Sequence, residues 1–463
     1  PLTQKLKNCP ENAMLRYVVI LTLLVSSIAA SQELQTYVFQ GVHVIPMDTD
    51  QVIENQTIVV SGGRIEAIGS IGEILVPTNA ILIEAEGQYI MPGLTEMHAH
   101  VPSTDDPQYL EDVLFLYLAN GVTTVRGMLG RPAHLTLRAQ IARHEILGPR
   151  LITSGPSLRG GRVDSPEHAR QIVLEQSEAG YDFVKIHPGI TLAQYNAAVQ
   201  AANETGMPLA GHVPEDVGLA RALSAGQASI DHMDGYPHYL VPPEIDLTAH
   251  QYGYYGMGLL NLFDENRIFQ AAKETRDANV WVVPTQILFE QRISPIPAHE
   301  LATREDMAYM PPTMVQQWVQ AKERLVSTIN MPDGPSRLLE VRQRLIKALH
   351  DEGAGLLLGS DAPQVFNVPG FSIHHEIRAI MDAGLTSFEV LRTGTVASAE
   401  FLDAQEEFGK VSVGLAADLI LVEADPLEDI TTVSRPLGVM VRGLWLDRAK
   451  LDETLAAIAG RQR

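Results

Sequence analysis

Short apolar runs alternate with longer amphipathic segments through most of the chain, and this alternation predicts the fold. Eight runs with strand character occupy residues 89–98, 122–126, 150–154, 182–186, 208–212, 228–232, 280–285 and 355–361. Segments with helical periodicity lie between them, for example residues 107–118, 166–179, 192–204, 215–225, 265–277 and 336–351. Several of these segments begin at Ser, Thr or Pro and end at Gly. Eight consecutive strand–helix units predict an α/β fold, a (β/α)8 TIM barrel over residues 89–404.

The two ends of the chain have a different pattern, in which short strands are separated by turn residues. Residues 36–88 show it first, with a turn at Gly62-Gly63, and strand signals return after the barrel in residues 405–450. We expect the two parts to pair and to form one composite β-sandwich domain.

Two connections within the predicted barrel are longer than usual and rich in Tyr, Met and Pro. They span residues 233–264 and 286–335. Long connections on this fold stand over the active face as lids or pocket walls. The alternative, surface helices that do not contact the substrate, stays open at this point.

The first residues resemble an export signal. Met14 and Arg16 precede an apolar run over residues 17–28, and small residues follow at 29–31. The run is shorter than the roughly 20 residues that a spanning helix needs. We therefore expect residues 1–31 to comprise upstream residues and a cleaved signal, with an uncleaved anchor as the alternative. The mature protein would be exported, either periplasmic or secreted.

Composition narrows the possible partners. The hydrophobic content of 45% with 19% charged residues is typical of a globular protein. A net charge of −22 argues against nucleic acid or an anionic membrane surface as partner, because both reward basic residues. Cys9 is the only cysteine and precedes the predicted cleavage point, so any metal would be held by His and carboxylates. We expect a small-molecule substrate and no stable membrane insertion after cleavage, and homo-oligomerisation stays open.

Metal-ligand residue types stand at the predicted strand ends. Side chains on a strand alternate faces, so His98 and His100 at the end of the first barrel run would point the same way and bind one metal ion. Among 15 histidines this pair alone is open to coincidence. Other ligand-type residues recur where this fold places active sites, namely Lys185, His212, His232 and Asp361. Each alone could be a buried structural residue, but together they indicate a metal site.

Two motifs of the chain resemble those of a known enzyme superfamily. The motifs Pro92-Gly-Leu-Thr-Glu-Met-His-Ala-His100 and Gly414-Leu-Ala-Ala-Asp-Leu-Ile-Leu-Val422 resemble those of the metal-dependent amidohydrolase superfamily. Lys185 and Val122-Thr-Thr-Val-Arg126 are similar to the branch that includes imidazolonepropionase-like proteins and Xaa-Pro dipeptidases. The likeness covers nearly everything after residue 36. It specifies the superfamily and the metal site, and it does not specify the substrate.

The resemblance implies a site for two divalent metal ions, with zinc expected. One ion would be held by His98, His100 and Asp361, and the other by His212 and His232. Lys185, carboxylated by CO2 to a carbamate, would bridge the ions together with a hydroxide.

The resemblance also implies roles for individual side chains. Asp361 would take the proton from the attacking hydroxide and return it to the leaving nitrogen. Tyr236, four residues after His232, would support the oxyanion, although a packing role is equally open. Arg126 would meet a substrate carboxylate or pin the barrel, and the second role is favoured.

The sequence thus predicts an exported, zinc-dependent amidohydrolase that cleaves amide or peptide C–N bonds of small molecules, either dipeptides or N-acyl amino acids. A lactonase, esterase or phosphotriesterase-like activity on the same metals is one alternative. A non-catalytic binding module on this scaffold is the other.

Overall fold

The computed structural model describes residues 35–462, and five strands come first in this part of the chain. They are β1 (Tyr37–Val44), β2 (Ile53–Ser61), β3 (Arg64–Ser70), β4 (Ile81–Glu84) and β5 (Tyr89–Pro92). Strand β1 pairs antiparallel with β2 and parallel with both β4 and β5. Apolar side chains such as Phe39, Ile58 and Ile90 are fully buried in the core of this region.

The barrel region follows as a regular succession of strands and helices. Its elements are β6 (Leu94–Ala99), α1 (Pro107–Ala119), β7 (Val122–Gly127), α2 (Pro132–Ala142), β8 (Arg150–Thr153), α3 (Pro166–Ala179), β9 (Val184–Ile186), α4 (Leu192–Thr205), β10 (Leu209–Gly211), α5 (Gly218–Ser224), β11 (Ser229–Asp231), α6 (Tyr236–Leu240), α7 (Arg267–Asp277), β12 (Trp281–Val283), α8 (Gln286–Ile293), α9 (Ala298–Leu301), α10 (Pro312–Ser327), α11 (Gly334–Asp351), α12 (Phe371–Asp382), α13 (Ser387–Thr393) and α14 (Val396–Phe401). The fold is α/β and TIM-barrel-like.

Local signals explain where several helices begin and end. Helix α3 starts at Ser165, whose side chain accepts a hydrogen bond from the backbone N–H of His168. Helix α4 starts at a capping box between Thr191 and Gln194. The predicted Ser and Thr start signals are confirmed at both helices.

Parallel pairing orders the barrel strands. Strands β6, β7 and β8 form one parallel sheet, and β9 to β12 form another. Single bridges link the two sheets, at Ser154 with Phe183 and at Leu158 with Ile186. The predicted eighth strand, residues 355–361, is not a regular strand. It makes isolated bridges through Leu356 and, just past its end, Ala362, because the chain turns at Asp361, whose φ is 64°.

The two long connections are mostly helical. The first contains α6 and two 3-10 helices, Leu247–Ala249 and Tyr254–Leu262, and the second contains α8, α9, a 3-10 helix at Glu305–Tyr309, and α10. Met307, Met310 and Trp318 are buried in the largest apolar cluster of the protein, so the second connection packs as part of the core. Within residues 35–462, none of the helices has the length and apolar character to cross a membrane.

The end of the described chain returns to the first sheet. Strands β13 (Leu419–Val422), β14 (Gly438–Val441) and β15 (Leu444–Asp447) follow the barrel, and α15 (Arg448–Arg461) ends the described part. Strand β13 pairs antiparallel with β5, so both ends of the chain share one eight-stranded sheet. All its strands belong to a single hydrogen-bonded sheet, and a sandwich of two sheets stays a prediction.

Candidate metal centre and active site

Five predicted ligands meet at the carboxyl ends of the barrel strands. We call them the histidine–aspartate cluster, which comprises His98, His100, His212, His232 and Asp361. The His98 ring lies 5.5 Å from that of His100 and 4.7 Å from that of His232, and the rings of His232 and His212 are 4.6 Å apart. Oδ1 of Asp361 is 3.1 Å from Nε2 of His100 and 3.5 Å from Nε2 of His98.

Burial shifts the pKa values of three of these histidines and of Asp361. It lowers the pKa of His98 to about 3 and holds the pKa values of His100 and His232 well below the ordinary value. These imidazoles are therefore neutral at pH 7, which is the form that binds a metal. Burial also raises the pKa of Asp361 well above its usual range, so its ionised form calls for a nearby cation.

The geometry of the cluster fits a metal ion. One ligand atom each from His98, His232 and Asp361 lie within 4.8 Å of one another, and all three residues are buried. Oδ1 of Asp361 has no hydrogen-bond donor among residues 35–462, although it is buried. A buried acceptor without a donor is costly, and coordination of a cation would compensate for it.

The backbone around the cluster is strained. His232, Met233, Thr285 and Asp361 all adopt positive φ, between 48° and 64°. Such conformations cost about 1–3 kcal/mol each in non-glycine residues and concentrate at functional sites. They turn these strand ends sharply, so that His232 and Asp361 face the same space.

Two hydrogen bonds orient the second pair of histidines. Nδ1 of His212 lies 2.7 Å from Oδ2 of Asp234, and Nδ1 of His232 lies 2.8 Å from Oγ1 of Thr285. Partners of this kind fix the tautomer of a ligating histidine and leave its other nitrogen for the metal.

Lys185 lies below the cluster against a buried carboxylate. Its Nζ is 2.9 Å from Oδ2 of Asp231, which also lies 3.2 Å from Nδ1 of His98. Burial alone would raise the pKa of Asp231, but Lys185, His98 and Arg126 hold it well below its usual value. Nε of Arg126 donates to the carbonyl of Met97 at 2.7 Å. Arg126 therefore pins the barrel interior, as favoured above.

Tyr236 is not part of the cluster, and its predicted oxyanion role is corrected here. The residue is fully buried, and its hydroxyl pairs with Oγ1 of Thr275 on α7 at 2.7 Å. A tyrosine that does approach the cluster is Tyr255, whose ring lies edge-on at 6.3 Å from the ring of His232. Tyr255 has φ of 43° and packs against Phe289 at 4.7 Å.

Sequence reasoning missed two carboxylates that support the histidines. Asp231 and Asp234 flank His232 in the segment Ser-Ile-Asp-His-Met-Asp. Their positions in the sequence, next to and two residues after His232, could have indicated that they support this histidine.

Two clefts adjoin the cluster. One, of about 340 Å3, is lined by His212, Asp234, Tyr252, Tyr254 and Tyr255, among others, and we call it the tyrosine cleft. The other, of about 430 Å3, is lined by His187 and three arginines, Arg131, Arg159 and Arg162, and we call it the arginine cleft. The rings of His187 and His212 are 4.7 Å apart, so the arginine cleft borders the cluster through His187, whereas the tyrosine cleft includes His212 itself.

A TIM-barrel-like fold with histidines and an aspartate at its strand ends defines the class of protein, and comparison identifies the family. The model of the amidohydrolase family matches residues 89–446, so this chain belongs to the amidohydrolase family. The family resemblance derived from the sequence motifs is thereby confirmed.

Individual relatives are more distant. A segment of 79 residues is 37% identical to adenine deaminase of Clostridium botulinum, but the match spans 17% of this chain and only 13% of that protein. The structure is similar to bottromycin amidohydrolase, with a TM-score of 0.71, 25% identity and coverage of 93% of this chain and 92% of that one. It is also similar to a Xaa-Pro dipeptidase solved with bound methionine, with a TM-score of 0.65, 20% identity and coverage of 89% and 100%.

Proposed function

We propose that this protein is an exported, zinc-dependent hydrolase of amide or peptide C–N bonds in small molecules, such as dipeptides or N-acyl amino acids. One observation carries the proposal: neutral imidazoles and a buried aspartate of an amidohydrolase-family chain converge where this fold holds its active sites. Matches to an amidohydrolase and a dipeptidase support a C–N bond as the target.

The donor set favours zinc. Imidazole and carboxylate ligands without thiolates suit zinc in hydrolytic sites. His98, His100 and Asp361 would hold one ion and His212 and His232 the other. When bound, such ions lower the pKa of water and polarise a substrate carbonyl.

Asp361 is the residue best placed to move protons. Its carboxyl faces the nitrogens of His98, His100 and His232, at distances of 3.5, 3.1 and 4.0 Å. In the proposed reaction it accepts a proton from the attacking water and delivers it to the leaving nitrogen, because an amine leaves poorly unless it is protonated.

Lys185 would be carboxylated and bridge the two ions. Its side chain is buried at the end of β9 and is held by Asp231 next to His98. A carbamate would supply anionic oxygen ligands, which an ammonium group does not. Lys185→Ala is then expected to abolish tight binding of at least one metal, as measured by elemental analysis after dialysis. Full occupancy by two ions in the variant would refute the bridge.

The proposal also covers the closure of the barrel, the shape of the first sheet and the export of the protein. We infer that the barrel closes between its two sheets, supported by the bridges at Val282 with Leu356 and Ala99 with Ala362. The first sheet would curl into a sandwich around its apolar core. Export rests on the predicted signal in residues 1–31, which lies outside the described residues, and fractionation of cells expressing the whole chain tests it.

The decisive experiment combines metal content with a substrate comparison. Zinc-loaded protein is expected to contain about two equivalents and to hydrolyse dipeptides or N-acyl amino acids faster than matched esters. A strong ester preference would contradict the amidase assignment. Protein that is metal-free, stable and inactive would instead favour the binding-module alternative.

A further inference from the structure

The arginine cleft stands out in a protein with a net charge of −22. Arg131, Arg159 and Arg162 are all exposed at its walls. Within residues 35–462, none of these three side chains forms an ion pair or hydrogen bond with a protein carboxylate. Most other arginines among these residues do, for example Arg138, which pairs with Asp182 at 2.6 Å. Three free guanidinium groups around one cavity form an anion-binding surface.

The loops that carry these arginines are fixed to the strand that bears Lys185. The backbone N–H of Leu158 donates to the carbonyl of Lys185 at 2.9 Å, and that of His187 donates back to Leu158 at 2.8 Å. Gly160 packs so closely that a Cβ atom there would lie 2.6 Å from the carbonyl oxygen of Gly189. The loop of Arg159 and Arg162 is therefore held in place beside the cluster.

The loop that carries Arg131 is tied to the same region. The N–H of Gly130, next in the chain, donates to Oγ of Ser154 at 3.1 Å. Ser154 in turn forms a parallel bridge with Phe183, just before β9. An anion-binding surface built on fixed loops loses little entropy when it binds.

The tyrosine cleft has the opposite chemical character. Its walls include Tyr252, Tyr254 and Tyr255, together with the carboxylates of Asp234 and Glu215. His238 stacks on Tyr252 with ring centres 4.3 Å apart. Aromatic walls with acidic groups suit an apolar or positively charged moiety and repel an anion.

We propose that the substrates are amides with a free carboxylate on one side of the scissile bond and an aromatic or apolar group on the other. The carboxylate binds in the arginine cleft, chiefly at Arg159 and Arg162, and the apolar group binds in the tyrosine cleft. This inference rests on the proposed hydrolytic function, and it assigns the substrate class and its orientation across the cluster.

The test uses matched pairs of substrates and zinc-loaded protein. Dipeptides Phe-Xaa and N-benzoyl amino acids are assayed as free acids and as C-terminal carboxamides. Charged hydrogen bonds of about 1.5–3 kcal/mol correspond to roughly a tenfold to 150-fold preference, so kcat/KM is expected to favour the free acids by about this factor. The double variant Arg159→Gln/Arg162→Gln should raise KM for the free acids at least about tenfold, with kcat and zinc content kept and the carboxamides unaffected.

A matched control and a competing anion complete the design. Arg170→Gln removes an arginine that pairs with Glu204 on the neighbouring helix, and it should leave every KM unchanged. Inorganic phosphate should compete with the free acids only weakly. A phosphate inhibition constant below the KM of the best free acid would overturn the proposal and mark the cleft as a phosphate site.

The outcomes separate the two levels of inference. Equal kcat/KM for acids and carboxamides, or an unchanged KM in the double variant, would overturn the carboxylate assignment and leave the hydrolytic function standing. Zinc-loaded protein that hydrolyses no member of either series would overturn both.

Discussion

Two clusters of buried polar groups lie side by side in this barrel, and they are built on opposite principles. In the histidine–aspartate cluster, not every buried polar atom has a hydrogen-bond partner. Oδ1 of Asp361 has no donor among residues 35–462. In the neighbouring Arg342–Glu376 network, the buried groups are paired. Nε, Nη1 and Nη2 of Arg342 donate to Oε1 of Gln286 and to the carbonyls of His232 and Pro284, at 2.9, 2.8 and 2.7 Å.

Both carboxyl oxygens of Glu376, in the same network, also have hydrogen-bond partners. Its oxygens accept hydrogen bonds from the backbone N–H groups of Gln286 and Ile287, at 2.8 and 2.6 Å, at the start of α8. Satisfied buried groups stabilise a fold, whereas unsatisfied ones are retained where function requires them. The histidine–aspartate cluster is therefore the one whose unpaired buried oxygen a metal ion would satisfy. The two clusters touch at the carbonyl of His232, which accepts a hydrogen bond from Arg342.

The largest expected difference in turnover is between variants of Asp361, in the histidine–aspartate cluster, and Glu376, in the Arg342–Glu376 network. Asp361→Asn should reduce kcat by about 100-fold to 10,000-fold, because the amide cannot accept and return a proton. Glu376→Gln should keep most of the turnover and instead lower the free energy of unfolding, because it disturbs two buried backbone donors. Steady-state kinetics and urea unfolding of both zinc-loaded variants measure this. Near-normal kcat in Asp361→Asn would remove Asp361 from the mechanism.

The hydrogen bond from Arg342 to the carbonyl of His232 connects the two clusters and should affect metal binding. Arg342→Met leaves the carbonyls of His232 and Pro284 without their donors, and a shifted His232 should weaken zinc binding by about tenfold to 100-fold. Competition with a chelator measures the affinity. Arg344→Met is the control, because Arg344 lies on the same helix and pairs with the exposed Glu265. Added guanidinium should restore part of the affinity to Arg342→Met, and unchanged affinity would show that the two clusters are independent.

His374 is a partly buried histidine outside both clusters, and its Nε2 lies 3.1 Å from the carbonyl oxygen of Asn120. It tests how a histidine that is not a candidate metal ligand makes the free energy of unfolding depend on pH. Burial lowers the pKa of His374 to about 3. Since its unfolded value is near 6.5, the unfolded chain binds the extra proton first, so the stabilisation is present above pH 6.5 and is lost as pH falls towards 3. At pH 5 the loss would be about 2 kcal/mol. Urea unfolding of zinc-loaded protein at pH 7.5 and 5.0 should show it.

The variant His374→Gln should reduce this pH dependence, whereas His250→Gln, at an exposed position, should not. If wild type and His374→Gln lose the same free energy of unfolding between pH 7.5 and 5.0, the pKa of His374 does not differ between the folded and unfolded chain, and the prediction is wrong.

Part of this contrast could be read from the sequence. The alternation of apolar runs and the residue types at their ends located His98, His100, His212, His232 and Asp361, because the strand ends of a parallel barrel meet on one face. The Arg342–Glu376 network was invisible, since its members are far apart in the chain and no local pattern links an outer helix to a strand-end carbonyl. The arginine cleft was missed because Arg131, the pair Arg159 and Arg162, and His187 come from three different segments that only the fold brings together.

Sequence spacing gave a wrong position for Tyr236, because the backbone turns between His232 and this residue. Tyr236 was assigned to the site because it follows His232 by four residues, but His232 and Met233 have positive φ, and Gly235, with φ of 83°, starts α6. Because of these turns, the side chain of Tyr236 packs against α7, where its hydroxyl pairs with Thr275. Tyr255 comes close to His232 from the irregular 3-10 segment Tyr254–Leu262, whose conformation no local pattern specified.

The smallest expected effect separates these two tyrosines. Tyr236→Phe removes a hydrogen bond to Thr275, so the free energy of unfolding should fall by about 1 kcal/mol while kcat and zinc content are unchanged. Tyr255→Phe, the matched variant at the tyrosine cleft, should alter kcat/KM with little change in stability. Thermal unfolding and steady-state kinetics on one substrate distinguish the pair. A hundredfold loss of kcat in Tyr236→Phe would restore its oxyanion role and require that α6 move during the reaction, because its hydroxyl faces α7 in this structure.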